Sequence, residues 1–294
     1  MDVCKKEMIL NNESEIKSAF NYKSLYFVSI IVGVLLVLRD VQGISISKYI
    51  LIAIIGLYVF IADLNKVSIF MAFLMPIYVG LPGNYITIIF LCKFVMVYLK
   101  NPQIFCFRIV PTISGFFACA FILIQNYWLN YINAYYLICA AEMVLVLFLF
   151  SYKGEIDYKQ YIYMYTVSVA FLCAVTLINN LKIYDLTELM NASTRLGLFD
   201  STQMILKLDP NYLGYFAIAA ISSALGLIFI EKCKAKKVIL AICAIVSIFV
   251  SFVGLSRTFL LTLLLWIAII CFAQREKGKV FLVLSIGMII LGLI

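Results

Sequence analysis

The chain has 294 residues, of which 65% are hydrophobic and 13% are charged, whereas a soluble domain is roughly 45–50% apolar and about 25% charged. Its mean hydropathy is +1.08, and a compact globule of 33.3 kDa could not bury so much apolar surface. These values exclude a cytosolic enzyme, a nucleic-acid-binding module and a disordered regulator, and the meaning of the net charge of +8 depends on where the basic residues lie.

The first 24 residues are polar and lack the short apolar core of a signal peptide. We therefore expect residues 1–24 to form a cytoplasmic N-terminal segment and residues 25–294 to form a single transmembrane domain. Apolar runs predict an all-α polytopic membrane helical bundle of about 10–11 transmembrane helices. These runs lie at roughly 25–38, 48–62, 66–79, 85–99, 109–124, 134–150, 161–178, 211–230, 238–254, 256–273 and 280–294.

The distribution of Lys and Arg predicts the orientation of the bundle. With a cytoplasmic N-terminus, 16 of the 23 basic residues fall in inner segments and 6 in outer ones, while Lys93 lies within a span. Two short inner loops, residues 231–237 and 274–279, hold seven of these 16 basic residues. We therefore predict a multi-pass protein of the bacterial plasma membrane whose N-terminus is cytoplasmic.

The cysteine and histidine content argues against metal or cofactor chemistry. The chain has no His, and its nine Cys include no CxxC pair. His-based metal sites and Ser–His–Asp or Cys–His catalysis are therefore excluded, and neither a zinc site nor a disulfide framework is indicated. We expect no metal and no cofactor.

Two charged residues interrupt otherwise apolar spans. Lys93 is the ninth residue of the span at 85–99, and Glu142 is the ninth residue of the span at 134–150. Both spans run from outside to inside in the predicted topology, which places the two charges at a similar depth. Because neither charge could face lipid cheaply, we predict a structural ion pair between them, with a proton or ion relay as the alternative.

The longest predicted connection, residues 179–210, lies on the outer face and mixes apolar with polar residues. This pattern is typical of short interfacial helices, and an ordinary long loop is the alternative. The connection ends in Asp209-Pro210-Asn211, where Asp and Pro are explained by their preference for helix starts alone. Asn211 lies in the first turn, beside a positive helix end that favours anions, and is expected to point into the protein.

A second motif, Ser256-Arg257-Thr258, separates two strongly apolar runs at the outer end of a predicted helical hairpin. An Arg side chain can hold a phosphate or pyrophosphate bidentately, and the two hydroxyls add hydrogen-bond donors. The alternative is that Arg257 reaches lipid headgroups or pairs with an acidic residue of the outer loop.

The order of these features resembles the O-antigen polymerase/ligase superfamily. The resemblance lies in an outer loop ending in Asp209-Pro210-Asn211, an interior helix, a basic inner loop and then Ser256-Arg257-Thr258. It covers about 90 residues, from 200 to 294, and elsewhere consists of general hydropathy. Members of this superfamily are bacterial GT-C-like membrane glycosyltransferases, including the Wzy-type repeat-unit polymerases of capsule and exopolysaccharide pathways.

The resemblance implies an enzyme that transfers or polymerises glycan from a polyprenyl-pyrophosphate-linked oligosaccharide at the outer face of the membrane, without a metal. It implies that Arg257 neutralises the donor's pyrophosphate and stabilises the leaving group, and that Asp209 and Asn211 line the same outer cavity, beside the hydroxyls of Ser256 and Thr258. Charge and location alone add two further substrate-binding candidates in the outer loop, Arg195 and Lys207. A flippase and a chain-length regulator are candidate protein partners.

Members of the family usually continue into a large outer loop, with a further functional Arg, and then into more spans. This chain stops at residue 294, within or at the end of a predicted span, so we expect it to be truncated at its C-terminus. Two other functions remain alternatives. One is a transporter or flippase of lipid-linked oligosaccharide, and the other is a non-catalytic membrane partner of a polysaccharide export complex.

Overall fold

The structure is a computed structural model that describes residues 22–77, 83–128, 134–182, 185–189 and 210–253. In these ranges the chain is helical, and its β-structure is limited to one antiparallel bridge between Phe105 and Tyr152. The predicted all-α class is therefore confirmed for the described residues.

Ten α-helices lie within the described ranges. They are α1 (Lys23–Asp40), α2 (Lys48–Ile61), α3 (Leu64–Ile77), α4 (Gly83–Lys100), α5 (Ile109–Trp128), α6 (Ala134–Ser151), α7 (Tyr158–Asn180), α8 (Leu186–Leu189), α9 (Pro210–Ile230) and α10 (Lys234–Val253). Each of the first nine predicted segments overlaps one long helix, and the short α8 lies in the 179–210 connection. The predicted spans at 256–273 and 280–294 lie outside the described residues.

Two of the described helices are long and apolar enough to cross a membrane. They are Tyr158–Asn180, which is the whole of α7, and Leu213–Ile230 within α9. Apolar helices of shorter length occupy Lys48–Ile61, Leu64–Ile77, Thr112–Gln125 and Leu137–Ser151. Length and composition therefore support two membrane-crossing helices among the described residues.

The chain divides into two compact units. The first contains α1, α2, the start of α3 and α4 to α6, and the second contains the end of α3 and α7 to α10. The single transmembrane domain that the sequence predicts over residues 25–294 stays a prediction.

In the first unit, α4 packs against α2 and α6, and α5 packs against α6. The contact between α5 and α6 is close, because a Cβ atom on Gly115 would come within 2.6 Å of Leu147 Cδ1. Beyond α4, a short 3₁₀ turn (Pro102–Ile104) leads to the bridge with Tyr152. The Cys106 N–H donates to the Ser151 carbonyl at 2.6 Å and the Lys153 N–H to the Ile104 carbonyl at 2.8 Å.

An aromatic cluster packs the connection that follows α4 against the ends of α4 and α6. Its rings lie with centroids 5.4–6.5 Å apart, mostly in edge-to-face orientation. The cluster consists of Phe94, Tyr98, Phe105, Phe107, Phe148 and Tyr152. Such ring pairs are worth about 0.5–1.5 kcal/mol each beyond the area they bury. Phe105 is 6% exposed and contacts every other ring in the cluster.

A second polar contact joins three distant segments of the first unit. The Tyr22 hydroxyl donates to Asp157 Oδ2 at 3.2 Å and accepts from Asn65 Nδ2 at 3.1 Å. The side-chain amide oxygen of Asn65, Oδ1, in turn accepts from the Asp157 N–H at 3.0 Å. Tyr22 is buried, and this burial is the main cause that raises the pKa of its hydroxyl to about 12. These three residues form a closed ring of hydrogen bonds, here called the tyrosine clip.

In the second unit, α7, α9 and α10 pack against one another in pairs. The helices α9 and α10 form a hairpin through residues 231–233, and Ile248 of α10 packs against Ala217, Ile218 and Ile221 of α9. The small residues Ala217, Ala220 and Ala224 are 0%, 1% and 0% exposed. Small side chains at helical spacing let a neighbouring backbone approach closely, so these alanines form a packing face of α9.

Replacement of Phe105 by Ala should destabilise the first unit by about 3–5 kcal/mol, because it removes the ring that all others in the aromatic cluster contact. Thermal unfolding in mild detergent, followed by circular dichroism, measures this loss. The matched control is Phe150→Ala, at the end of α6, where the side chain is 79% exposed. Equal loss in the two variants would contradict the role given to the cluster.

Candidate functional site

In the second unit, contacts among α7, α9 and α10 show which termini of these helices lie together. Lys159 Nζ, at the start of α7, lies 3.1 Å from Glu231 Oε2, just after α9. Lys236 Nζ, at the start of α10, lies 5.4 Å from the centre of the Tyr163 ring. The starts of α7 and α10 therefore meet the end of α9. We call this the basic end; it consists of Lys159, Glu231, Lys232, Lys234, Lys236 and Lys237.

Glu231 organises the basic end. Its Oε1 accepts from the Lys232 N–H at 2.9 Å and from the Cys233 N–H at 3.0 Å, while Oε2 binds Lys159. Burial alone would raise the pKa of the Glu231 carboxyl, but the hydrogen bonds from Cys233 and Lys159 and the nearby ammonium charges outweigh it. The net result is a pKa below the ordinary value, so the carboxylate stays charged and holds the α9–α10 turn against α7.

The opposite end carries buried polar groups without charge. Asn179 and Asn180, at the end of α7, are 8% and 4% exposed, and Asn180 Nδ2 donates to the Thr176 carbonyl at 2.8 Å. The Thr176 hydroxyl is buried and has no hydrogen-bond partner among the described residues. A buried hydroxyl left unpaired costs about 1–3 kcal/mol, so such a group is a candidate for binding water or a polar ligand.

The facing surface of α10 is also polar. The Ser251 hydroxyl donates to the Ser247 carbonyl at 2.7 Å, and both residues are buried. The Ser247 hydroxyl lies beside the thiol of Cys173, which is a weak hydrogen-bond partner, and has no other partner in the described part of the chain. We call this region the polar end; it consists of Thr176, Asn179, Asn180, Ser247, Ser251 and the start of α9.

Of the predicted substrate-site residues, Asn211 is the one whose backbone the structure describes, and it lies at the polar end. Helix α9 begins at Pro210, as the Asp-Pro pair predicts, and the backbone of Asn211 lies in its first turn. Because α9 and α10 form a hairpin, this first turn and Val253, the last described residue of α10, belong to the same end. The remaining substrate-site predictions lie outside the described residues: Arg195, Lys207, Asp209, Ser256, Arg257 and Thr258.

Lys93 and Glu142 have different partners in the structure. Lys93 is 9% exposed, and its ammonium donates to the Phe60 carbonyl at 3.0 Å, in the last turn of α2. Such a carbonyl has no partner within its own helix, and a cation there is favourable. Glu142 Oε1 lies 3.5 Å from the Thr87 hydroxyl, which is about 9 Å along α4 from Lys93 at the usual helical rise. The ion pair between them stays a prediction.

The polar residues of α7 and α10 are functional candidates that the sequence interpretation missed. A usable signal was their spacing, because Thr176, Asn179 and Asn180 are separated by three and four residues, and Ser247 and Ser251 by four. Residues at these separations share one helix face. Uncharged amides and hydroxyls gathered on facing helices can bind the hydroxyl groups of a ligand. Among the described residues, no group of three or more His, Cys, Asp or Glu could hold a metal ion.

No protein-family model, curated protein or solved structure matches the chain. The resemblance to the O-antigen polymerase/ligase superfamily therefore depends on the two sequence motifs and on the helical arrangement that separates them.

The stabilisation supplied by Glu231 should depend on pH. Since the folded state lowers the pKa of this carboxyl, its contribution is complete above the unfolded-state pKa, near 4.3, and is lost as the pH falls through the lower folded-state value. Glu231→Gln should cost about 1–2 kcal/mol at neutral pH, because Lys159 is partly exposed, and should reduce the acid loss. Thermal unfolding measured between pH 7 and pH 3 tests this.

The exposed Glu155 supplies the matched control, as Glu155→Gln removes the same charge from another loop. This control should keep the wild-type pH profile. An unchanged profile in the Glu231→Gln protein would contradict the role assigned to that carboxylate.

Proposed function

We propose that the chain is a multi-pass membrane glycosyltransferase of bacterial surface polysaccharide assembly, of the O-antigen polymerase/ligase type. It transfers or polymerises glycan from a polyprenyl-pyrophosphate-linked donor at the outer face of the plasma membrane. The observation that carries the proposal is the α9–α10 hairpin, which brings the first turn of α9 and the end of α10 to one uncharged, buried polar end. The motifs Asp209-Pro210-Asn211 and Ser256-Arg257-Thr258 begin and follow this hairpin in the sequence.

Membrane insertion is supported by the outward faces of the helices. On α5, Phe116, Phe117 and Phe121 are 69%, 67% and 67% exposed, and on α9 Phe229 is 85% exposed. Soluble monomers rarely expose contiguous apolar surface on this scale. Lipid tails cover such faces at no cost, and shorter helices can cross where the bilayer thins locally or where flanking polar side chains snorkel to the interface.

The proposed multi-pass topology is supported by contacts between connections. The tyrosine clip joins three positions that the charge distribution assigns to the inside. The bridge between Phe105 and Tyr152 joins two further positions assigned to the inside. The ammonium group of Lys182 donates to the Val41 carbonyl, and both positions are assigned to the outside. Five lysines gather at the basic end, which suits a cytoplasmic position. The polar end then faces the periplasm or cell exterior.

The chemistry assigned to the site follows from this placement. An acceptor sugar hydroxyl attacks the anomeric carbon of the donor, and the bond to the pyrophosphate oxygen breaks. Arg257 binds the pyrophosphate and stabilises the negative charge that develops on the leaving group. Asn211 and the amides and hydroxyls of the polar end, including Asn180 and Ser251, bind sugar hydroxyls and orient the two glycans.

Replacement of Arg257 by Ala should abolish long glycan chains. Loss of one such charge-stabilising group typically lowers turnover by about 10²–10³-fold. The test expresses full-length wild-type and Arg257→Ala proteins in a polymerase-null strain and compares glycan length by gel electrophoresis. Lys48→Ala, at an exposed position on α2, is the control for removal of an outer positive charge. Unchanged long chains in the Arg257→Ala strain, at equal membrane abundance, would refute the proposal.

A separate prediction concerns substitutions at the polar end. Ser251→Ala and Asn180→Ala should shorten glycan chains while leaving membrane insertion intact, because each removes one sugar-binding group and only one helix-local hydrogen bond. The same gel assay measures the effect. Ser114→Ala, an identical change at an exposed position on α5, should behave as wild type. If both variants made glycan chains of wild-type length, the polar end would have no role in the reaction.

The charged residues Lys93 and Glu142 favour a second candidate, a transporter or flippase of lipid-linked oligosaccharide, since charges within apolar helices often mark transport pathways. Purified protein in liposomes distinguishes the two. A glycosyltransferase lengthens a lipid-linked repeat unit supplied on the side of the polar end, whereas a transporter moves the unit across the bilayer without lengthening it.

A further inference from the structure

The basic end carries far more positive charge than its own residues neutralise. It contains five lysines and one carboxylate, Glu231, which leaves a local excess of four positive charges. Glu231 already binds Lys159 and two backbone N–H groups, which occupy three of its about four acceptor sites. Lys236 lies against the Tyr163 ring.

The other lysines have no such partner within the described residues. Lys232 and Lys234 are exposed, and no described carboxylate lies within ion-pair distance of either one or of Lys237. Their ammonium groups therefore project from the end of the helical unit. They remain available to an anion from outside the described part of the chain.

The position of these lysines on α10 is electrostatically unfavourable. Lys234, Lys236 and Lys237 lie in the first turn of the helix, which contains no acidic residue. The first turn carries the positive end of the helix dipole and normally favours acidic residues. A bound anion would offset both the repulsion among the lysines and their repulsion by the helix end.

Apolar side chains next to the lysines indicate what kind of anion fits. Phe229 and Ile230, in the last turn of α9, are 85% and 62% exposed, and Val238, in the second turn of α10, is 58% exposed. A soluble phosphate or an acidic peptide would leave these side chains in water. A phospholipid satisfies both features, because its acyl chains cover the apolar residues and its phosphate lies among the ammonium groups.

We propose that the basic end is a binding site for anionic phospholipids of the inner leaflet, with Lys232, Lys234 and Lys237 as headgroup ligands and Phe229 and Val238 against the acyl chains. The site requires the membrane placement proposed above, but it is independent of glycosyl transfer. Glu231 has a positioning role, since it holds the turn that presents Lys232 and Lys234.

Lipid binding by the purified full-length chain tests this proposal. The protein in detergent micelles is titrated with phosphatidylglycerol or with phosphatidylcholine of the same acyl chains, and bound lipid is counted by native mass spectrometry. Phosphatidylglycerol should bind more tightly. Lys232→Gln/Lys234→Gln should lower its affinity about 25-fold, the effect expected for two lysines near an anionic surface. Increasing salt should weaken the wild-type interaction.

The matched control is Lys48→Gln/Lys100→Gln, which removes the same charge from two exposed positions elsewhere. This variant should bind phosphatidylglycerol as the wild type does. An equal loss in the two double variants would mean that only net charge matters, and equal binding of the two lipids would exclude headgroup recognition. Displacement by an equal concentration of glycerol phosphate would identify a soluble-anion site instead. Each result would overturn the proposal, while glycan length in the Arg257→Ala strain tests the enzymatic function separately.

Discussion

In the second unit, the arrangement of the helices depends on the carboxylate of Glu231. A buried carboxylate is stable only where donors surround it, and here the donors come from α7 and from the turn that joins α9 to α10. This anchors the three helices at one end. Since α9 has 21 residues and each adds about 1.5 Å, the anchored turn determines which residues meet about 30 Å away.

The two ends of this unit differ in the kind of polarity they carry. Lysines and a carboxylate occupy one end, whereas the other has amides and hydroxyls that are buried and uncharged. In our proposal, this separation leaves Arg257, with the outer-loop candidates Arg195 and Lys207, to bind a pyrophosphate at the polar end. A charged group has its greatest effect on a reacting anion where few other charges compete with it.

Much of the helical arrangement was predictable, because long apolar runs and helix-start residues give strong local signals. The start of α9 at Pro210, for example, follows from the preference of Asp and Pro for helix starts. The polar end was only partly predictable, since single Ser and Thr residues in apolar helices commonly bond to their own backbone. The hydrogen bond from Lys93 to the Phe60 carbonyl was not predictable. A long side chain can reach a backbone carbonyl on a neighbouring helix, and the sequence does not show which carbonyl lies within reach.

The contact between Phe105 and Tyr152 was missed for a different reason. The connection after α4 has no alternating strand pattern, and its bridge is only one residue pair. Its stability comes from aromatic rings that three separate segments contribute. Contacts of this kind depend on the packing of α4 against α6, which no local sequence window contains.

The tyrosine clip has a consequence for how the protein is made. Its hydroxyl and its carboxylate are 135 residues apart in the chain, and a ribosome adds about 5–20 residues per second. For roughly 7 to 27 seconds after Tyr22 is synthesised, α1 and the helices after it leave the ribosome before Asp157 exists. During this interval the early helices must be held by lipid, by the insertion machinery or by one another. The clip closes only when the connection to α7 has been translated, so the last residues of the first unit are in place just before synthesis of α7 begins.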